Sequence, residues 1–188
     1  KGKTYNLLRS KNIKVRTGLL KSKIKKFYTS YFFNRKRKLP FVSGKIAISK
    51  NKLIYSKNIR KISNHQSNRF NHFLRYKNDS ILITYKTLNK DNPKLNCRLK
   101  KMEKFSPKRV ILDNKLNTNI KSYIFKTADK KNTIFFYNEA DKINIDKFKK
   151  KKLMIFKSKI DSKKRFNMLS IFKKLFDLDC RNILIEGG

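Results

Sequence analysis

The stretch "LRYKNDSILITYKTLNKDNPKLNCRL", Leu74 to Leu99, decides how this chain is read. It carries an arginine near each end, Arg75 and Arg98. Between them lies "SILITY", an apolar, β-branched run of strand type, followed by Thr87 and by Asp91-Asn92-Pro93. The residue before a proline avoids helix, and Asn and Asp favour turns, so "NKDNPK" reads as a turn. Upstream, Asn64 is placed to cap a helix over "HQSNRFNHFLRY", with Phe70, Phe73 and Leu74 on one face. Two readings compete for the block. It is a loop in a basic nucleic-acid-binding protein, or it is a ligand site preserved within a strong compositional bias.

Composition narrows the choice. A length of 188 residues suits one domain, or one domain plus part of another. With 38% hydrophobic and 12% aromatic residues the chain has the material for a core, which argues against wholesale disorder. No apolar run reaches the ~18 residues of a membrane span, and the first residues do not resemble a signal peptide. Two cysteines, Cys97 and Cys180, do not make a disulfide framework, so a reducing, cytoplasmic setting is expected.

The charge is extreme, with 51 basic against 12 acidic residues and a net charge of +39. Such a balance points to nucleic acid when it is gathered on one arm or face. Here lysine is spread along almost the whole chain. Lys, Asn, Ile, Phe and Tyr, the residues of AT-rich codons, are all abundant, while Gly, Pro and Trp are scarce. Codon bias accounts for most of the charge, and nonspecific polyanion binding follows from it as a side effect.

Outside the central block, "TYNLLRSKNIKV" reads as a short helix turning into a short strand. "LLKSKIKKFYTSYFF" places Leu20, Ile24, Phe27, Tyr28, Tyr31 and Phe32 at helical spacing, so these aromatics are expected to pack into the core. "NRKRKLP" reads as a basic linker and "PFVSGKIAIS" as a strand. "KRVILD", "SYIF", "NTIFFY", "KLMIF" and "NILIEGG" are further strand candidates. "SKKRFNMLSIFKKLFDLDC" is the best helix, with Phe166, Leu169, Ile171, Phe172, Leu175 and Phe176 in one stripe. Short apolar strands among amphipathic helices predict an α/β sheet, in which ligands bind beyond the carboxyl ends of the strands. Ser49, Thr84, Thr87, Asp113, Asn114, Glu186, Gly187 and Gly188 fall at such ends.

The order "PFVSGKIAIS", "FLRYKNDSILITYKTLNKDNPKLNCRL", "PKRVILD" and "ILIEGG" resembles the bifunctional riboflavin-biosynthesis deaminase/reductase family, in its reductase half. The family pattern runs P-(F/W)-V-x-x-K-x-A-x-S-x-D-G, then L-R, D-(A/S)-I-L, G-x-x-T, D-(D/N)-P-x-L-x-x-R, R-V-(I/V)-L-D and E-G-G. Its spacing from Arg75 to Arg98 is kept here without gaps. The resemblance implies a dihydrofolate-reductase-like fold: a mostly parallel central sheet flanked by helices, incomplete at its C-terminus. Residues 1–37 would be the tail of a deaminase domain with a linker helix, and 38–188 the N-terminal part of the reductase domain. The deaminase zinc motif, H-x-E with P-C-x-x-C, does not occur in these residues, so zinc would belong to the deaminase domain alone.

The activity implied is NADPH-dependent reduction of 5-amino-6-(5-phosphoribosylamino)uracil, with hydride going to C1 of the ribose unit. The cofactor carries the chemistry and the protein positions the partners, so no triad or carboxylate pair is expected and no catalytic residue is assigned. Arg75, Leu95, Arg98 and Glu186 match substrate-contacting positions. A phosphorylated pyrimidine suits guanidinium forks, and a carboxylate after four apolar residues needs a partner. Ala47, Thr87, Asp91, Asn114, Gly187 and Gly188 match cofactor contacts. The resemblance also implies pairing of two copies through the reductase domain.

The chain departs from the pattern on the nicotinamide side. The family's S-x-D-G-K reads Ser49-Lys50-Asn51-Lys52, and its W-I-T reads Lys61-Ile62-Ser63. A substrate-contacting serine just before that segment becomes Ile59. The glycines of G-x-G-T become Thr84 and Lys86. Lys61 or Lys86 would then meet NADPH phosphates. The competing reading, a ribosomal-type nucleic-acid-binding protein, rests on the charge and on the interleaved aromatics. A third reading keeps the fold without turnover.

Overall fold

The computed structural model describes residues 2–49, 52 and 63–187. Six strands form one sheet: β1 (Phe41–Lys45), β2 (Ser80–Thr84), β3 (Lys108–Leu112), β4 (Thr133–Tyr137), β5 (Met154–Lys157) and β6 (Asn182–Glu186). Their order is β1-β6-β2-β3-β4-β5, and every neighbouring pair is parallel. The chain steps outward from β2 to β5 and then returns to insert β6 between β1 and β2. Because all strands run one way, Lys45, Glu186, Thr84 and Leu112 finish at a common edge.

Parallel strands are buried on both faces, which is why they read as continuous apolar runs. Alternation then sorts each strand. Ile81, Ile83, Ile111, Phe135 and Leu184 face one side, where they meet Leu74 of α4 (His65–Lys77), Leu88 of α5 (Tyr85–Asp91), Ile124 and Phe125 of α6 (Tyr123–Thr127) and Phe148 of α7 (Lys142–Lys150). Leu82, Val110, Leu112, Ile134, Phe136 and Ile183 face the other, against Ile171 and Leu175 of α8 (Met168–Asp177).

Local signals set most helix starts. The Asn64 side chain accepts from Ser67 N at 2.8 Å and opens α4 as predicted. Asn167 accepts from Ser170 N and opens α8. The Thr84 hydroxyl accepts from Thr87 N at 3.4 Å and opens α5, whose last three residues take up the first half of the predicted turn. The turn comes at Asn92, a left-handed cap with φ 43° immediately before Pro93.

Other expectations are corrected. "SYIF" is helical because Ser122 caps it, and its consecutive Ile124 and Phe125 both enter the same core cluster, which strand alternation would forbid. Helix α7 occupies a lysine-rich stretch for which no element was predicted, and Ile145 and Phe148 share its inner side. The basic "NRKRK" stretch is the end of α3 (Thr29–Arg37) rather than a linker. "KNIKV", which follows helix α1 (Lys3–Ser10), forms no strand, and β1 stops at Lys45.

The N-terminal aromatics do not reach the core. Phe27, Tyr28, Tyr31, Phe32 and Phe33 are all exposed, Phe27 to 77%. Phe27, Tyr28, Tyr31 and Phe32 stack edge-to-face on one another, and Phe33 touches Phe41 of β1. Phe70 and Phe73 on α4 are likewise exposed, and only Leu74 of that predicted face packs inward. Cys97 and Cys180 are both free and buried. Among the described residues no helix is long and apolar enough to cross a membrane.

Phe148 seats α7 by edge-to-face contacts with Phe125 at 5.1 Å and Phe135 at 4.9 Å. Phe148→Ala is expected to lower the unfolding free energy by about 3–5 kcal/mol. Urea titration measures this, and a loss below about 1 kcal/mol would mean that α7 is not anchored there.

Candidate functional site

Strand β6 explains where its last residue points. Leu184 faces the side covered by α4 to α7, and two residues on, Glu186 faces the same way. On α4, Arg75 answers it. Arg75 Nε donates to Glu186 Oε1 and Arg75 Nη2 to Oε2, both at 2.9 Å. Each side chain is 14% exposed. This is the bidentate fork that guanidinium geometry favours, in a place too dry for solvent to screen it.

A second layer surrounds the fork. Arg75 Nη1 donates to the Asn96 carbonyl at 3.3 Å. His72, one turn before Arg75 on α4, meets the same carbonyl through Nδ1 at 3.1 Å. Arg98 Nε lies 3.2 Å from His72 Nε2 and donates to it. With its proton on Nδ1 the neutral ring donates to the Asn96 carbonyl and accepts from Arg98 Nε, and the Arg98 backbone amide, 3.2 Å from Nδ1, then faces that N–H rather than a lone pair. Burial lowers the His72 pKa from its ordinary value, Arg75 and Arg98 lower it further, and Asn96 and Glu186 oppose the shift.

Two clefts flank the N-terminal half of α4. One, of about 910 Å³, is lined by His72, Arg98, Phe70, Phe73 and Met102 among others. The other, of about 550 Å³, lies between α4 and the chain leaving β1, and Ala47, Ser63, Ser67 and Asn71 line it. Gly187 follows Glu186, and its amide donates to the Lys45 carbonyl at the far rim.

A further group of polar side chains stands where β2 and β3 end side by side. The Thr84 and Thr87 hydroxyls lie 3.3 Å apart. Asn114 follows β3 by two residues; its carbonyl accepts from the amides of Asn138 and Glu139, and its buried Oδ1 has no hydrogen-bond partner among the described residues. Asp113 is committed to structure, accepting from Asn117 N, Thr118 N and the Thr118 hydroxyl.

The fold therefore brings Arg75, Glu186 and, through His72 and Asn96, Arg98 into one network. It sets Ala47 in the cleft beside β1, Gly187 against the Lys45 carbonyl at the end of that strand, and Thr87 and Asn114 at the ends of β2 and β3. Asp91 is the exposed last residue of α5. Leu95 is 2% exposed in the core with φ 54°. Lys61 and Gly188, like Ile59, lie outside the described residues. Sequence reasoning missed His72 and Asn96. The signal for His72 was its place three residues before Arg75, on the same helical face.

The six-stranded parallel sheet flanked by helices is an α/β fold of dihydrofolate-reductase type, with the Arg–Glu fork and the polar side chains at its carboxyl edge. Residues 52–188 match the RibD C-terminal domain, and the chain belongs to that family. It is 27% identical over its whole length to the riboflavin biosynthesis protein RibD of Aquifex aeolicus and 25% identical to that of Actinobacillus pleuropneumoniae. The chain spans about half the length of these relatives, 51% and 50%.

Among solved structures, a deaminase/5-amino-6-(5-phosphoribosylamino)uracil reductase from Thermotoga maritima superposes with a TM-score of 0.74 and 26% identity. That match covers 98% of this chain and 49% of the other. The riboflavin biosynthesis reductase of Saccharomyces cerevisiae shares the fold, with a TM-score of 0.61, 21% identity and coverage of 88% and 72%.

The depressed His72 pKa has a definite sign. Between that value and about 6.5 the unfolded chain binds the proton more readily than the folded one, so stability falls as pH drops through this window. An NMR titration is expected to place the His72 midpoint below the ordinary histidine value. His72→Gln is expected to remove that part of the pH dependence of unfolding. An unchanged pH profile in the variant would contradict the assignment.

Proposed function

We propose that this domain reduces 5-amino-6-(5-phosphoribosylamino)uracil to its ribitylamino product with NADPH, as a reductase step of riboflavin biosynthesis. The observation that carries the reading is the Arg75–Glu186 fork with its His72–Arg98 extension, built at the carboxyl edge of a parallel sheet in a RibD-family domain. The named activity of the Thermotoga relative supplies the substrate.

The chain's residues fit the two ligands in different places. Arg98 is exposed at the cleft rim, with its Nε held by His72, which leaves its terminal nitrogens to meet an anionic substrate. Glu186 accepts hydrogen bonds, and Arg75 holds its carboxylate in one orientation. The partnerless Asn114 Oδ1 fits a ribose hydroxyl donor, and the Thr84 and Thr87 hydroxyls stand at the adjoining strand end for ribose or phosphate oxygens. Exposed Lys86, in the first turn of α5, adds a cation beside them. NADPH, when bound, supplies the hydride that reduces C1 of the ribosyl unit. Ala47, small and at the cleft past β1, leaves room for the nicotinamide end.

The nucleic-acid reading gains an exposed aromatic and cationic arm, α2 (Lys21–Phe27) and α3, but nothing in the family match favours it. Polyanion binding accompanies the reductase reading as an electrostatic effect that weakens steeply with salt.

NADPH oxidation in the presence of the substrate tests the proposal, with affinities from equilibrium titration at constant ionic strength. Thr87→Ala and Asn114→Leu keep the net charge, so they separate a cofactor site from general attraction to a polycation. Each is expected to weaken NADPH several-fold. Arg98→Ala is expected to weaken the substrate by roughly tenfold, as for loss of a charge-assisted hydrogen bond, and NADPH far less. NADPH affinity indifferent to both neutral variants, or an Arg98→Ala effect larger on NADPH than on substrate, would overturn these roles.

A further inference from the structure

At the opposite edge of the sheet, where β3 and β4 begin, a cavity of about 190 Å³ is lined by Lys94, Asn96, Pro107, Arg109, Tyr123 and Asn132 among others. Arg109 is the second residue of β3 and only 7% exposed. Its Nη1 donates to the Thr127 hydroxyl at 2.8 Å, and its Nη2 to the Thr127 carbonyl at 3.0 Å and to Asn132 Oδ1 at 2.6 Å. All three acceptors are neutral. Among the described residues no carboxylate forms an ion pair with it. A guanidinium removed from water, with Asp129 joined to it through Asn132 rather than paired with it, is costly even when it is hydrogen-bonded. Its pKa is lowered, chiefly by burial, with Tyr123 and Asp129 opposing.

Two further groups share the space. Lys94 is exposed at the mouth, its ammonium 5.4 Å from the Tyr123 ring centroid. Asn96 lines the cavity, and its Oδ1 is buried with no hydrogen-bond partner among the described residues. The set is thus two cations and one orphaned acceptor. Cations alone would take any oxyanion. An acceptor without a donor selects an oxyanion that still carries an O–H.

We infer that this cavity is a binding site for hydrogen phosphate, held by Lys94 and Arg109 and recognised through its hydroxyl by Asn96. The site is independent of the reductase reading, because it lies at the amino edge of the sheet rather than the carboxyl edge. It does adjoin the other network through Asn96, whose backbone carbonyl holds His72 and Arg75. The chemistry also sets an expected preference that charge alone cannot supply. At neutral pH phosphate retains a hydroxyl and sulfate does not, so sulfate would set an oxygen against Asn96 Oδ1.

The test is titration of the full 188-residue chain with inorganic phosphate and, separately, sulfate, by calorimetry at constant ionic strength in chloride. Saturable phosphate binding is expected, several-fold tighter than sulfate. Lys94→Ala removes an exposed side chain and should leave the fold intact. It is expected to weaken phosphate by roughly tenfold, the loss of one charge-assisted contact. Asn96→Ala is expected to bring phosphate and sulfate to equal affinity. Lys150→Ala, an exposed lysine on α7, is expected to change neither. Equal affinity for the two anions in the unaltered chain, or equal losses in Lys94→Ala and Lys150→Ala, would reduce the effect to diffuse attraction and overturn the inference.

Discussion

The Arg75–Glu186 fork is the contact on which the arrangement of this domain turns. Glu186 ends the strand that is inserted between β1 and β2, and sheet alternation sends its carboxylate toward the helix-covered side. A carboxylate there needs a partner that satisfies both oxygens, and a planar guanidinium does so. Arg75 sits on the helix that carries the chain from β1 to β2, so the fork ties the first crossover to the last strand, 111 residues apart. From it hang the Asn96 carbonyl, the His72 ring and Arg98. In a chain with 51 cations and 12 acids, a largely buried carboxylate held by a guanidinium fork marks the candidate site more clearly than any patch of charge.

Much of this was legible in the sequence, and the reasons differ by element. Buried parallel strands keep Ile, Val, Leu and Phe because water is excluded from both faces, and β2, β3, β4 and β6 survive as such runs despite the bias. Caps were legible as well. Asn64 fixes α4 by one side-chain acceptor, whatever follows it. Helix α7 was hidden because lysine fills its solvent face and Asp141, which precedes it, makes no side-chain cap. "SYIF" misled because Tyr, Ile and Phe favour strands locally, while one Ser122 cap and the shared burial of Ile124 and Phe125 decide otherwise. The exposed aromatics of α3 had the spacing of a core helix, but spacing reports a shared face and not what covers it.

The site was legible as residues and not as contacts. The gap-free block from Arg75 to Arg98 named both arginines, and the acid after "ILI" named Glu186, but nothing local says that Arg75 and Glu186 meet. His72 and Asn96 were passed over for the same reason. The substitutions at family glycine positions look milder in three dimensions. Thr84 adopts an ordinary extended backbone, φ −90° and ψ 157°, and uses its hydroxyl to cap α5, while Lys86 lies in the first turn of that helix. Neither position demands a left-handed backbone, so a side chain is accommodated there.

A double-mutant cycle on Arg75→Met and Glu186→Gln, read by urea unfolding at neutral pH and moderate salt, tests the central claim most directly. The two changes should be strongly non-additive, with a coupling of about 1–3 kcal/mol that persists as salt is raised, because the pair is shielded from solvent. Additive effects, or a coupling that vanishes in salt, would show the two side chains to be independent surface groups and would contradict the account.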